Sequence, residues 1–169
     1  MLRDCIGVMT DIDDTLTRDA AIEPSALAAL HALHAAGVPV VAITGRPLGW
    51  SEAITTEWPV AAVVAENGGV AIVRTTVGGR PGWARRFAQD EATRAVNTLR
   101  LQATAARLLR ELPHARLARD SAGRVTDIAV DHAEFEVLDA ETIGHVIATM
   151  RSEGMQASVS SIHINGWYG

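Results

Sequence analysis

Three carboxylates fall within four residues at Asp11-Ile12-Asp13-Asp14, and Thr15-Leu16-Thr17 follows directly. They come straight after Cys5-Ile6-Gly7-Val8-Met9-Thr10, an apolar run of strand length. Like charges packed this closely resist ionising together unless a cation neutralises them, so the cluster predicts a metal. Oxygen-only donors suit Mg²⁺. An aspartate beside such an ion can attack a phosphorus and form an aspartyl-phosphate. A carboxylate two residues on can protonate the leaving oxygen and then activate water. The same residues also suit an acidic, solvated loop that caps a helix, and at this point both readings stand.

A second cluster ends the next apolar run, Val41-Ala42-Ile43-Thr44-Gly45-Arg46-Pro47. The Thr44 hydroxyl can donate to a phosphoryl oxygen, and Gly45 lets backbone N–H groups approach an anion. Thr-Gly serves an ordinary strand-to-helix turn equally well. Placement favours the chemical reading: the cluster lies one βα unit after the aspartates, so both strand ends face one crevice.

Positioning these groups requires a parallel sheet, and the first half of the chain alternates strand and helix patterns as such a sheet demands. Pro24 opens a helix through Leu27, Leu30 and Leu33 that Gly37 ends; Pro47 opens a second, through Trp50 and Ile54 to Trp58. Val60 to Ala65 reads as a third strand, with Val70 to Val73 its hairpin partner after Gly68-Gly69. Thr75 to Pro81 reads as a linker. Beyond it, Asp90 caps a long helix whose stripe is Ala92, Val96, Leu99, Ala103 and Ala106, and Asp139 caps another running to Gly154. Strands are expected over Ala115 to Arg119, Thr126 to Asp131, and within Met155 to Asn165. The expected fold is α/β, a Rossmann-like parallel-sheet core with an inserted α+β domain. The core takes residues 1–81 and the insert 82–160, while 161–169 begin the return to the core.

Composition excludes several classes. The 169 residues are 48% hydrophobic and 21% charged, which argues against disorder. The net charge of −5, with no basic cluster, argues against nucleic-acid binding, and no apolar run approaches the roughly 20 residues of a membrane span. Met1 to Asp4 and the short run behind them are too brief for a secretory leader, so a cytoplasmic location is expected. One cysteine, Cys5, excludes an internal disulfide and a cysteine-based zinc site.

Asp11-x-Asp13-x-Thr15, Thr44-Gly45-Arg46 and Glu66-Asn67-Gly68-Gly69, each after a strand, together resemble the haloacid dehalogenase superfamily of phosphatases. The placement of the insert resembles the branch with an α+β cap of type IIB. Ser160 to Trp167 is similar to the cap-to-core return of sucrose-phosphatase-like bacterial members. The resemblance implies Mg²⁺-dependent hydrolysis of a small, sugar-like phosphate monoester. It implies Asp11 as nucleophile and metal ligand, and Asp13 as general acid/base that binds the metal through its backbone carbonyl. Thr44, with Gly45, would hold the phosphoryl group, and Arg46 and Asn67 would lie near the substrate. Asp14 is read as structural.

The family pattern also calls for a lysine, arginine in some members, against the aspartyl-phosphate, and for a late aspartate loop that completes the metal site. These 169 residues hold neither, and all 15 of the basic residues are arginine. The expectation is a chain forming the first part of a longer phosphatase, weak or inactive alone. Its first strand would be an exposed edge, open to homodimer formation. Two alternatives stand beside it: a non-catalytic fragment that binds phosphorylated ligands, and a phosphotransferase of the sugar phosphomutase type. Among single residues, His163 is expected to be a hydrogen-bonded structural histidine, and Asp127 and Asp131 to lie on a solvated strand face.

Overall fold

The computed structural model describes residues 5–19 and 21–169. Met1 to Asp4, on which the expected absence of a secretory leader rests, lie outside the described residues. The apolar run ends in β1 (Val8–Asp11), followed by a short hairpin of β2 (Thr17–Arg18) and β3 (Ala21–Ile22). Pro24, whose fixed φ suits a first helical position, opens α1 (Pro24–Ala35). Gly37 follows it at φ +73°, where a side chain would be strained. β4 (Val40–Ile43), α2 (Leu48–Glu57) and β5 (Ala62–Ala65) complete two βα units. After a single 3₁₀ turn over Glu66–Gly68 come β6 (Val70–Val77) and β7 (Arg80–Phe87).

These strands form one sheet in the order β1-β4-β5-β6-β7. β1, β4 and β5 are parallel, while β6 and β7 are antiparallel additions. The expected linker over Thr75 to Pro81 is instead the tip of the β6–β7 hairpin. Gly78 (φ +58°) and Gly79 (φ +79°) make its turn, which needs positive φ at both positions. Ile12, Leu30, Val40, Ala42, Ile54 and Val63 fill the core of this unit.

A second unit begins at Ala88. It contains α3 (Glu91–Glu111), β8 (Arg116–Leu117), β9 (Asp127–Asp131), α4 (Ala140–Ser152), β10 (Gln156–Val159) and β11 (His163–Trp167). Its antiparallel sheet has the order β10-β11-β9-β8. Leu101 and Leu108 from α3 and Val146 and Met150 from α4 pack with Val130 and Ile164.

Three further expectations are corrected. Residues 161–169 were expected to begin the return to the core. Residues 163–167 form β11, hydrogen-bonded on both sides within the second unit's sheet. The α3 stripe of Ala92, Val96, Leu99, Ala103 and Ala106 faces solvent; the core takes Asn97, Leu101, Thr104, Ala105 and Leu108. Asp127 and Asp131 are buried rather than solvated. Asp127 is paired with Arg124, and Asp131 accepts the N–H groups of Ala133, Glu134 and Phe135.

Asp90 and Asp139 do cap their helices, accepting from Thr93 N at 2.8 Å and Thr142 N at 2.7 Å. Those backbone bonds hold both carboxyls below the usual carboxylate range. A depressed folded pKa gives stabilisation that is complete above the unfolded value and lost as pH falls through the folded one. Asp90→Ala and Asp139→Ala should therefore each lower the thermal midpoint by a few degrees at neutral pH. The deficit should shrink in acid, as the pH falls through the lowered folded values and the parent loses the same charge. Circular-dichroism melts at neutral and at acid pH measure it, and a deficit that persists undiminished in acid would assign the loss to another interaction.

Candidate functional site

In the β1–β4 register Asp11 lies opposite Ile43, and in the β4–β5 register Ile43 lies opposite Val64. Three connections, starting at Ile12, Thr44 and Glu66, therefore leave the sheet at the same end, the carboxyl ends of its parallel strands. Ile12 buries its side chain completely. Its carbonyl accepts from Thr15 N (3.2 Å), Leu16 N (2.9 Å), Thr17 N (3.1 Å) and the Thr17 hydroxyl (3.1 Å). The loop wraps around that oxygen, with Asp14 taking the left-handed conformation at φ +58°.

Asp11 is exposed at the end of β1, and the Thr15 hydroxyl donates to its Oδ2 at 3.3 Å. Asp13 reaches across to the second connection. The Thr44 hydroxyl donates to its Oδ2 at 3.3 Å, and Arg46 donates from Nε (3.2 and 3.3 Å) and Nη2 (3.1 Å). Thr44 is buried, and its Oγ1 also accepts from Arg46 N at 3.0 Å. The Arg46 guanidinium lies 5.6 Å from the centre of the Trp50 ring, within cation–π range.

The third connection supplies a residue to which sequence reasoning gave no role. Glu66 is completely buried, and its Oε1 accepts from Leu48 N at 2.8 Å, at the start of α2. Pro47 precedes that helix and its ring carries no acceptor to cap it, so the acceptor comes from 18 residues along the chain. The sequence signal was available: an uncapped helix start, and an acid directly after a buried strand. Glu66 N donates to Arg46 O at 3.1 Å, tying the third connection to the second. Glu66 and Asn67 both hold positive φ, +51° and +56°.

The structure thus joins Asp13, Thr44 and Arg46 in one hydrogen-bonded set, with half-buried Gly45 inside it. Asp11 stands two residues from Asp13 at the open strand end, and half-buried Asn67 follows Glu66. Among the described residues no group of three His, Cys, Asp or Glu side chains is gathered for a metal. Both Asp13 carboxylate oxygens engage Arg46. The exposed Asp11 carboxylate is an oxygen donor of the kind a hard cation takes. In the second unit, Arg124 is buried between Asp120 and Asp127, His163 meets Glu134 at 2.9 Å, and Arg119 stacks on Phe135. These contacts are internal ties of that unit, as expected for His163.

A parallel β1-β4-β5 sheet with acid, hydroxyl and guanidinium groups at its strand ends defines an α/β protein of the Rossmann-like kind. A family model described as haloacid dehalogenase-like hydrolase matches residues 8–112, and the chain belongs to that family. A search of the curated proteins finds no sequence match. Solved structures similar to this chain include a Thermoplasma acidophilum protein, at 16% identity and a TM-score of 0.73, covering 95% of this chain and 63% of that one. The sucrose-phosphatase of Synechocystis, in complex with sucrose and phosphate, is 11% identical with a TM-score of 0.65, covering 97% and 64%. A haloacid dehalogenase subclass IIB sugar phosphatase is 14% identical with a TM-score of 0.59, covering 96% and 70%. These likenesses show the α/β fold expected from the sequence. The chain spans less than two thirds of the length of the first two.

Removing the buried Glu66 carboxylate would leave Leu48 N without its acceptor. Glu66→Ala should destabilise the protein by about 2–3 kcal/mol, whereas Glu66→Gln, which keeps an acceptor oxygen, should recover most of that. Urea unfolding measures both, and equal losses in the two variants would mean that the charge, not the hydrogen bond, matters.

Proposed function

We propose that the protein hydrolyses the phosphate monoester of a small, sugar-like metabolite through an aspartyl-phosphate on Asp11. The observation that carries this reading is the exposed Asp11 carboxylate two residues from an Asp13 held by Thr44 and Arg46. An Asp11 oxygen attacks the phosphorus, and the bond to the sugar oxygen breaks as Asp13 gives that oxygen its proton. Asp13 then takes a proton from water, whose oxygen attacks the same phosphorus, releasing phosphate and restoring Asp11. The Thr44 hydroxyl, with N–H groups around Gly45, donates to the non-bridging oxygens. Arg46, in a chain without lysine, offers a planar pair of donors that can exchange between Asp13 and a phosphoryl group. The Asp11 carboxylate and the Asp13 main-chain carbonyl would hold a Mg²⁺ ion, which would supply neutralising charge for the phosphoryl group. Asn67 is read as a substrate contact beside it.

We propose a cytoplasmic setting for the protein, with neither nucleic acid nor membrane as partner. No helix among the described residues is long and apolar enough to cross a membrane. Among the described residues β1 is an edge strand, with Met9 on it 77% exposed and Ile6 just before it 95% exposed, and that edge is the surface proposed for pairing with another strand.

The test is phosphate release from an aryl phosphate with Mg²⁺, on the protein encoded by the complete reading frame. Asp11→Asn should lower kcat by at least about 10³-fold, and Thr44→Val by about 10²-fold, with the folded circular-dichroism spectrum unchanged. Near-parental turnover by Asp11→Asn would overturn the nucleophile assignment.

A further inference from the structure

α3 is 21 residues long, about 30 Å, and it carries two apolar seams on opposite sides. One, through Leu101 and Leu108, is buried in the second unit. The other, Ala92, Val96, Leu99, Ala103 and Ala106, is spaced four, three, four and three residues apart and is exposed along its whole length. Val96 is 58% and Leu99 68% exposed. A seam with that spacing is what a partner helix packs against. Nothing in the proposed chemistry uses it.

The residues on this face select a second copy of the same helix, running antiparallel. Pairing about a two-fold axis near position 101 sets Leu99 against Ala103 of the partner and Val96 against Ala106, a large residue into each small one. A parallel pair would set Leu99 on Leu99 and Ala103 on Ala103, leaving gaps between the alanines. Charge makes the same choice. Glu91 begins the helix, and Arg110 extends the seam at its far end; neither forms an ion pair among the described residues. Antiparallel packing sets Glu91 of each copy beside Arg110 of the other and opposes the helix dipoles, whereas parallel packing would set Arg110 against Arg110. Arg100 and Arg107, on one flank, do not repel a partner strongly. Arg100 is stacked on Tyr168, and Arg107 is paired with Glu111 and Glu153.

We propose that the outer face of α3 is a homodimer interface in which two α3 helices pack antiparallel. Such a contact is at the small end of specific interfaces, so association in the micromolar range is expected.

Sedimentation velocity of the intact chain between roughly 1 and 200 μM tests this. The parent should shift from monomer to dimer, and Leu99→Glu should weaken association by about 10-fold or more. Leu99 is exposed, so its replacement should leave the circular-dichroism spectrum intact. Met9→Arg, on the separate edge of β1, should leave the dimer in place. Glu91→Arg should weaken it, and Glu91→Arg combined with Arg110→Glu should restore it. A parent that stays monomeric, or a dimer lost in Met9→Arg but kept in Leu99→Glu, would overturn the proposal. Failure of the double exchange to restore association would overturn the antiparallel arrangement.

Discussion

The chain has to leave β1 without stranding backbone polar groups, and it does so around the carbonyl oxygen of Ile12. That oxygen takes three backbone donors and one hydroxyl while the Ile12 side chain fills the core beneath it. Burial of Ile12 fixes which way its neighbours face. Asp11 stays at the open strand end, and Asp13 is turned to the next connection, where Thr44 and Arg46 meet it. A shift of one residue would send an aspartate into the core and expose isoleucine, a change opposed by both desolvation and lost apolar burial. The geometry of the acidic loop is thus set by an apolar residue that takes no part in the chemistry.

The two units manage polar groups differently. In the first, polar side chains gather where connections leave the sheet, and hydrogen bonds link the connections to one another. In the second, carboxylates enter the sheet itself and are satisfied there. Asp131 collects three backbone N–H groups from the turn after β9, and Asp127 is neutralised by Arg124. A buried carboxylate with all its oxygens occupied serves to fix a turn or a strand end, whereas an exposed one with spare lone pairs can meet a ligand.

Much of this was legible in the residues. The two βα units, their strand-end clusters and both aspartate caps follow from local rules of spacing and turn chemistry. What failed did so for identifiable reasons. An alanine-rich helix such as α3 has more than one apolar stripe, and the choice between them rests on which stripe meets the sheet. Periodicity alone does not decide that. Asp127 and Asp131 alternate as solvated residues should, but their partners come from turns that the strand pattern does not reveal. The segment ending in Trp167 was assigned by its likeness to a cap-to-core return, whereas its pairing with β9 and β10 depends on contacts distant in sequence. The role of Glu66 required knowing that the start of α2 lies beside the end of β5.

Glu66 places two demands on one position. Its backbone sits at φ +51°, which glycine would occupy without strain, while its side chain supplies the buried acceptor for α2. Glycine would relax the main chain and abandon the helix start, and aspartate would keep the charge on a stem one methylene shorter. Both of these replacements give up the contact, and glutamine alone keeps an acceptor oxygen at the same reach. Sequence drift here is therefore confined to residues with glutamine's reach, unless a new capping residue appears near Pro47 before the acceptor is lost.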